Sequence, residues 1–125
     1  MQRKLITALV CGALMIGSTA QAAPAAKCFF ANQFENWKSP DAKTIYIRVS
    51  MHDYYRLDLS ARCSMLQSPD SHLVTRFVGS ASICAPIDWD LQVADSSGMR
   101  QGCIVKTMTQ LTPEEAAAIP AKFKP

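Results

Sequence analysis

The stretch TIYIRVSMHDYYRLDLS, residues 44–60, contains two short runs in which apolar and polar side chains alternate. Every second residue is apolar in 45–49 and again in 55–59. Such alternation places the apolar side chains of a strand on one face of a sheet and the polar ones on the other. The stretch therefore predicts an antiparallel hairpin that buries one face.

The register of this hairpin is restricted, because a slip of one residue would turn the apolar side chains outward. Pairing Ile47 with Leu57 would set Arg48 opposite Arg56, which is unfavourable for like charges on neighbouring strands. A shift of two residues sets Arg48 opposite Asp58 instead. We expect this second register.

Further strands are predicted on both sides of the stretch. Alternating runs at 72–78 and 87–93, and a strand expected at 102–110 after the hairpin-like loop 95–98, bring the number of strands to five. The run 87–93 has the clearest pattern, with these residues expected to point inward: Ile87, Trp89, Leu91 and Val93. Residues 29–37 predict a short helix or an irregular edge segment. We expect a mainly β fold, with a small antiparallel five-stranded sheet or a partly open barrel.

A short C-terminal helix follows the last strand. Thr112 is a typical N-cap, Pro113 suits the first helical position, and Glu115 completes a capping box. Pro120 ends the helix within about two turns.

The beginning of the sequence predicts export. Residues 1–22 combine a basic start, an apolar run at 5–16 and a small-residue cleavage site that ends at Ala22, as in a signal peptide. The apolar run is short for a membrane span, which needs about 20 residues. We expect a flexible lead-in at 23–27 and a single disulfide-bonded β-rich domain at 28–125, periplasmic or secreted, with no membrane span after cleavage.

The charge of the remaining chain is close to neutral. Without residues 1–22 it has 11 basic and 10 acidic residues, a net charge of +1. Binding of nucleic acid requires a clustered excess of Lys and Arg, so no nucleic-acid partner is expected. The expected partner is an envelope protein or a small ligand, and the expected state is a monomer.

Four cysteines remain in this domain: Cys28, Cys63, Cys84 and Cys103. An even number in an exported chain of this size indicates two structural disulfides. Three pairings exist. We prefer Cys63 with Cys84, which would bracket the third strand, and Cys28 with Cys103, which would join the start of the domain to its last strand. Loop-closure entropy does not choose between this pairing and the adjacent one.

The cysteines also have two competing interpretations. No Cys-x-x-Cys motif is present, which disfavours a redox pair. A zinc site with His52 or His72 would be expected to use closely spaced ligand pairs, and the spacing lacks them. The structural interpretation is therefore the better supported one.

The domain resembles an uncharacterised family of small exported bacterial proteins with four cysteines in a β-rich domain. The matching residues are Cys28, Tyr54-Tyr55, 57–59 ahead of Cys63 and Leu66, Ile83-Cys84 ahead of Asp88, and Cys103 with 111–115. The resemblance implies the fold and an exported location. It implies no catalytic residue, because the family has no assigned activity.

Three groups of residues are candidates for function. His52 and His72 could act as acid and base in a small secreted hydrolase of the nuclease type, with Lys106 stabilising an anion. Isolated solvent-exposed histidines are the simpler interpretation. Carboxylates at 88, 90 and 95 could hold calcium, but a solvated strand face is the more common arrangement.

The third group lies on the outer face of the predicted hairpin and consists of Tyr46, Arg48, Tyr54 and Arg56. Tyrosine and arginine are typical of contact patches, because they combine a large area with directed hydrogen bonds. An ordinary mixed sheet surface has the same composition.

The common catalytic motifs and cofactor signatures are absent from the sequence. We expect neither a metal nor a cofactor. The sequence thus favours an exported non-catalytic binding or accessory protein of the bacterial cell envelope, with the histidine-dependent hydrolase as the alternative.

Overall fold

The computed structural model of the chain describes residues 27–77 and 82–125. The described strands are β1 Phe29–Phe30, β2 Phe34–Asp41, β3 Thr44–Val49, β4 Asp53–Leu59, β5 His72–Phe77, β6 Ser82–Ile83, β7 Trp89–Ala94, β8 Arg100–Gly102 and β9 Val105–Gln110. One α-helix, α1 Pro113–Ala118, follows β9, and 3-10 turns occupy Ala31–Gln33, Ser64–Gln67, Pro86–Asp88 and Ala121–Phe123. The predicted signal peptide at 1–22 and the lead-in at 23–26 lie outside the described residues.

The described strands form three antiparallel sheets. The largest has the order β2-β3-β4-β9, the second has the order β5-β7-β8, and β1 pairs with β6. The mainly β class, the short helix and the two disulfides are confirmed, but a single five-stranded sheet or partly open barrel is wrong. All five predicted strands are present. The additional ones are too short to show alternation, as in β1, β6 and β8, or have an irregular pattern, as in β2.

The β3–β4 hairpin confirms the predicted faces but not the predicted register. Arg48 lies opposite Tyr54, and Arg56 lies opposite Tyr46, so neither arginine faces Asp58 across this strand pair. Pairing each arginine with a tyrosine also separates the two like charges. The observed register therefore avoids the pairing of Arg48 with Arg56, which was the reason for predicting a register shifted by two residues.

The loop between β3 and β4 sets this register. Val49 pairs directly with Asp53, which leaves a loop of three residues, Ser50, Met51 and His52. Ser50 and Met51 have positive φ angles of 48° and 59°, a conformation that allows the chain to reverse in so few residues. The predicted register, with Val49 opposite Leu57, would instead have centred the turn on Asp53, two residues beyond the observed centre at Met51.

The segment at 29–37, predicted as a short helix or an irregular edge, is largely extended. Most of its length belongs to the 3-10 turn at Ala31–Gln33 and to β2, an edge strand that pairs with β3. Phe34 and Trp37 pack against the core, which holds the strand in place. Pro40 is tolerated because an edge strand can leave one side of its backbone unpaired.

The core lies between the inner faces of the two larger sheets. Its members from β3, β4 and β7 are Ile45, Ile47, Val49, Tyr55, Leu57, Leu59, Trp89, Leu91 and Val93. Phe29 joins the two sheets, since its ring centroid lies 5.0 Å from that of Tyr55 and 6.0 Å from that of Trp89. The same alternation that predicted the strands therefore supplies most of the core.

The disulfides pair Cys28 with Cys84 and Cys63 with Cys103, so the preferred pairing was wrong. The reason is the short β1–β6 ribbon, in which the residue after Cys28 pairs with the residue before Cys84. None of these four sulfurs is left as a thiolate, which excludes the zinc interpretation. Two disulfides indicate an oxidising environment outside the cytoplasm.

The helix α1 begins as predicted. The Thr112 hydroxyl accepts a hydrogen bond from the Glu115 backbone N–H at 3.2 Å, and the Glu115 carboxylate accepts one from the Thr112 N–H at 2.8 Å. Within residues 27–77 and 82–125, no helix has the length and apolar character needed to cross a membrane.

Tyr55 joins the core to the start of the described chain. Its side chain is buried, and its hydroxyl donates a hydrogen bond to the Lys27 carbonyl oxygen at 2.8 Å. Burial raises the pKa of the Tyr55 hydroxyl above its ordinary value, and the negative charge of Asp53 raises it further. The folded state therefore keeps this hydroxyl neutral at a pH where the unfolded chain ionises it.

We expect this tyrosine to contribute to alkaline unfolding. Its contribution is complete below about pH 10, the ordinary pKa of tyrosine, and is lost as the pH rises through the raised pKa. Tyr55→Phe should lower stability near pH 8 by about 1 kcal/mol through the lost hydrogen bond, and should show a smaller further loss above pH 10. Urea unfolding of both proteins at several pH values measures this difference. Parallel pH profiles would contradict the assignment.

Candidate functional site

The four residues of the predicted contact patch lie together on one face. Tyr46 and Arg48 in β3 pair directly with Arg56 and Tyr54 in β4, on the side of the sheet that faces away from the core. The alternation of the hairpin therefore placed these side chains correctly. We call this surface the tyrosine–arginine face.

Later residues of the chain cover part of the tyrosine–arginine face. The Lys124 ammonium lies 5.5 Å from the centroid of the Tyr54 ring, a cation–π contact. Arg48 donates from Nη1 to the main-chain oxygen of Pro125 at 3.3 Å, and from Nε to the Glu35 carboxylate at 3.0 Å. Both residues are thus already engaged within the chain.

The helix α1 lies beside Tyr46 and Arg56, the other two residues of the tyrosine–arginine face. A cavity of about 240 Å³ separates Tyr46 and Arg56 from Leu111, Glu115 and Ile119. Arg56 is also engaged, because its guanidinium forms an ion pair with Asp58 at 2.9 Å. A binding role for the tyrosine–arginine face stays a prediction.

The two histidines lie in different parts of the fold. His52 lies in the exposed loop between β3 and β4, whereas His72 is the first residue of β5 and pairs with Ala94 of β7. Neither histidine is among the residues that line four cavities of the described chain, which lie beside Lys43, Ile87, Trp37 and Leu111 respectively. None of these four cavities therefore brings the two imidazoles together.

Two of the three aspartates suggested as calcium ligands, Asp88 and Asp95, accept hydrogen bonds from backbone N–H groups of nearby residues instead. Asp88 accepts hydrogen bonds from the backbone N–H groups of Cys84 and Ala85, each at 2.8 Å. These two bonds hold the pKa of Asp88 below its ordinary value. Its carboxylate therefore closes the turn that leads from Cys84 into β7.

Asp95 has a similar role at the other end of β7. Its carboxylate accepts hydrogen bonds from the backbone N–H groups of Ser97 and Met99, at 3.0 and 3.1 Å. Asp90 is exposed on β7 opposite Arg76. Among the described His, Cys, Asp and Glu residues, no three lie close enough together to hold a metal ion.

An apolar groove lies on the surface beside β7. It has a volume of about 490 Å³ and is lined by Pro86, Ile87, Trp89, Asp90, Leu91, Gly102, Cys103, Ile104 and Val105. Ile87 is 84% exposed and Ile104 is 73% exposed, the two largest values among the exposed large hydrophobic residues of the described chain. Trp89 and Leu91 are buried, so the floor of the groove reaches the core. We call it the Ile87–Ile104 groove.

The sequence pattern misassigned one side of this groove. Ile87 was predicted to point inward as the first residue of a strand, but it lies in the 3-10 turn Pro86–Asp88, and β7 begins only at Trp89. The turn takes Ile87 out of phase with the inward residues. The sequence gives only a weak indication that Ile104 is exposed. Neighbouring residues of an extended segment point to opposite faces, and Cys103 and Val105, on either side of Ile104, are both buried.

Comparisons of this chain with models of protein families, with curated proteins and with solved structures find no match. Membership of the family of exported four-cysteine proteins therefore stays a prediction.

Proposed function

We propose that the protein is a non-catalytic binding or accessory protein of the bacterial cell envelope, periplasmic or secreted, and that it docks an apolar segment of another envelope protein in the Ile87–Ile104 groove. The observation that carries this proposal is the exposure of two isoleucines on either side of a groove whose floor is apolar. Exposed apolar side chains that border a concave surface are typical of contact sites.

The groove combines an apolar wall with a polar group at its margin. Burying the two isoleucine side chains under a partner would contribute about 1.5–3 kcal/mol each, before the cost of association. Asp90, which also lines the groove, offers a carboxylate that can accept an N–H from the bound segment. The expected ligand is therefore an apolar segment with a hydrogen-bond donor near one end.

The walls of the groove are held by covalent and polar links. Cys103 in one wall forms the disulfide with Cys63, and the Asp88 carboxylate fixes the backbone next to the turn that carries Ile87. A rigid site loses less conformational entropy when a partner binds. This rigidity supports a role in binding.

The two disulfides and the predicted signal peptide support the envelope location. The hydrolase alternative has no comparable support, because His52 lies in the β3–β4 loop, His72 lies in β5, and neither lines the groove or the three other cavities described. We therefore keep the binding role as the proposal.

The test is site-specific photocrosslinking in the producing cell. A photoreactive residue in place of Ile104 should crosslink one defined envelope protein, identified by mass spectrometry. Met99 is a matched control position, since it is 67% exposed and apolar but does not line the groove. Substitution at Met99 should capture at most a small fraction of the same product.

A blocking variant makes this test specific. A Cβ atom at Gly102 would meet no other atom within 4 Å, so Gly102→Leu can add a side chain beside the groove without a clash at Cβ. Gly102→Leu should reduce the Ile104 crosslink about tenfold or more, the effect of losing one buried apolar contact of 1.4 kcal/mol or more. Equal crosslinking from Ile104 and Met99, or a product unaffected by Gly102→Leu, would overturn the proposal.

A further inference from the structure

A second cavity lies at the end of the large sheet, between the turn that joins β2 to β3 and the loop that follows β4. It has a volume of about 530 Å³. Its lining includes three basic residues, Lys43, Arg56 and Arg62, and two acidic residues, Asp41 and Asp58. We call it the basic cleft.

The backbone on both sides of the basic cleft is fixed. The Leu59 N–H donates to the Lys43 carbonyl oxygen at 2.8 Å, and the Cys63 N–H donates to the Ala42 carbonyl oxygen at 2.7 Å. Cys63 is then held by its disulfide to Cys103. The two loops that carry the basic residues therefore cannot separate easily.

Both acidic residues of the cleft are engaged locally. Asp41 accepts the Lys43 N–H through Oδ1 at 2.7 Å. Asp58 binds the Arg56 guanidinium through Oδ1 at 2.9 Å and accepts the Thr107 hydroxyl through Oδ2 at 3.1 Å. Asp58 therefore holds Arg56 in one orientation and neutralises it in part.

The other two basic residues lack such a partner. Within residues 27–77 and 82–125, neither Lys43 nor Arg62 forms an ion pair with a carboxylate. Both side chains are exposed at the same cavity. The cleft thus has an excess of positive charge that the described chain does not neutralise.

We propose that the basic cleft binds a ligand that carries a multiply charged phosphate group. A guanidinium can donate two parallel hydrogen bonds to phosphate oxygens, and an ammonium adds a third cationic donor. The lining has three basic residues against two acidic ones, a net charge of +1. A phosphate group offers more acceptor oxygens than a single carboxylate, so it can accept hydrogen bonds from both Lys43 and Arg62. This site lies on different residues from the Ile87–Ile104 groove and does not depend on it.

The probe is inorganic pyrophosphate, titrated at low salt into the oxidised protein purified after export and followed by amide NMR. Chemical-shift changes are expected at 40–44 and 56–62. The double variant Lys43→Gln and Arg62→Gln should weaken binding about tenfold or more, since hydrogen bonds to charged groups are among the strong ones. Arg100→Gln, an exposed arginine of β8 outside the cleft, is the matched control and should change affinity less than about twofold.

A second arm distinguishes a soluble phosphate ester from a lipid headgroup. It measures cosedimentation with phosphatidylcholine vesicles that do or do not contain phosphatidic acid. Binding in either arm that is lost in the double variant and kept in Arg100→Gln supports the proposal and identifies the source of the phosphate. No binding in both arms, or binding equally strong in the double variant, overturns it. Arg62→Glu alone provides the same comparison if the double variant loses the folded amide spectrum.

Discussion

Replacing both Cys63 and Cys103 with alanine is expected to lower the free energy of unfolding by about 4–5 kcal/mol. The two cysteines are separated by 40 residues, and closing a loop of that length corresponds to about 3.9 kcal/mol of unfolded-state entropy. Both are buried, so the substitutions also remove packed sulfur atoms from the core, an additional loss of about 1 kcal/mol. Denaturant unfolding of the oxidised protein measures the change.

The second disulfide is the natural control. Cys28 and Cys84 are separated by 56 residues, which corresponds to about 4.2 kcal/mol on the same entropic relation. Both are exposed, so replacing them with alanine removes little packing. We therefore expect the Cys63 and Cys103 variant to be the less stable of the two, although its loop is the shorter one.

The relative stability of the two double variants shows whether loop closure alone, or loop closure together with burial, determines the effect of each disulfide. If loop closure alone determined the effect, the Cys28 and Cys84 variant would be the less stable. If burial contributes as proposed, the order is reversed. Peptide mapping without reduction should recover the two observed links, and recovery of Cys63 linked to Cys84 would contradict the described pairing.

Leu57→Ala is the second substitution with a large expected effect, a loss of about 3 kcal/mol. Leu57 is 0% exposed in the central strand β4, where it pairs with Ile45 on one side and Met108 on the other. Leucine-to-alanine substitutions in well-packed cores cost about 2–5 kcal/mol, through lost burial and through the cavity that remains. A domain of this size has a total stability of about 5–15 kcal/mol, so the loss is a large fraction of it.

The neighbouring residue provides the matched control. Arg56 precedes Leu57 in β4 but points to the opposite face, and its side chain is 46% exposed. Arg56→Ala removes a surface ion pair with Asp58, an interaction of about 0–1 kcal/mol. Thermal and denaturant unfolding of both variants should therefore differ clearly. Similar losses for the two would contradict the assignment of inner and outer faces.

The local elements were the most predictable part of the fold. The strands β3 and β4 and the start of α1 agree with the sequence pattern, because alternation and helix capping depend on residues a few positions apart. The strand β2 was not predictable in this way. Its polar and aromatic residues show no clean alternation, and it is extended because β3 offers it a partner and the core accepts Phe34 and Trp37.

The candidate sites were predictable only in part. The tyrosine–arginine face follows from the alternation of one hairpin, but its contacts with Lys124 and Pro125 join residues about 70 positions apart along the chain. The Ile87–Ile104 groove was missed, since the 3-10 turn at Pro86–Asp88 removes Ile87 from the strand to which its spacing assigned it. The basic cleft combines the turn between β2 and β3, the strand β4 and the loop after β4, which the pairing of β3 with β4 brings together.

The sequence by itself determined which faces of β3, β4 and β7 are buried, where the helix begins, and that four cysteines form two disulfides. Only the tertiary structure decided how many sheets the strands form, which cysteines join, and which apolar side chains stay outside. The physical reason is the distance along the chain over which each interaction acts. Side-chain direction and capping are set within a few residues, whereas the pairing of two-residue strands and of distant cysteines has almost no local energy and follows from how the two larger sheets bury their common core.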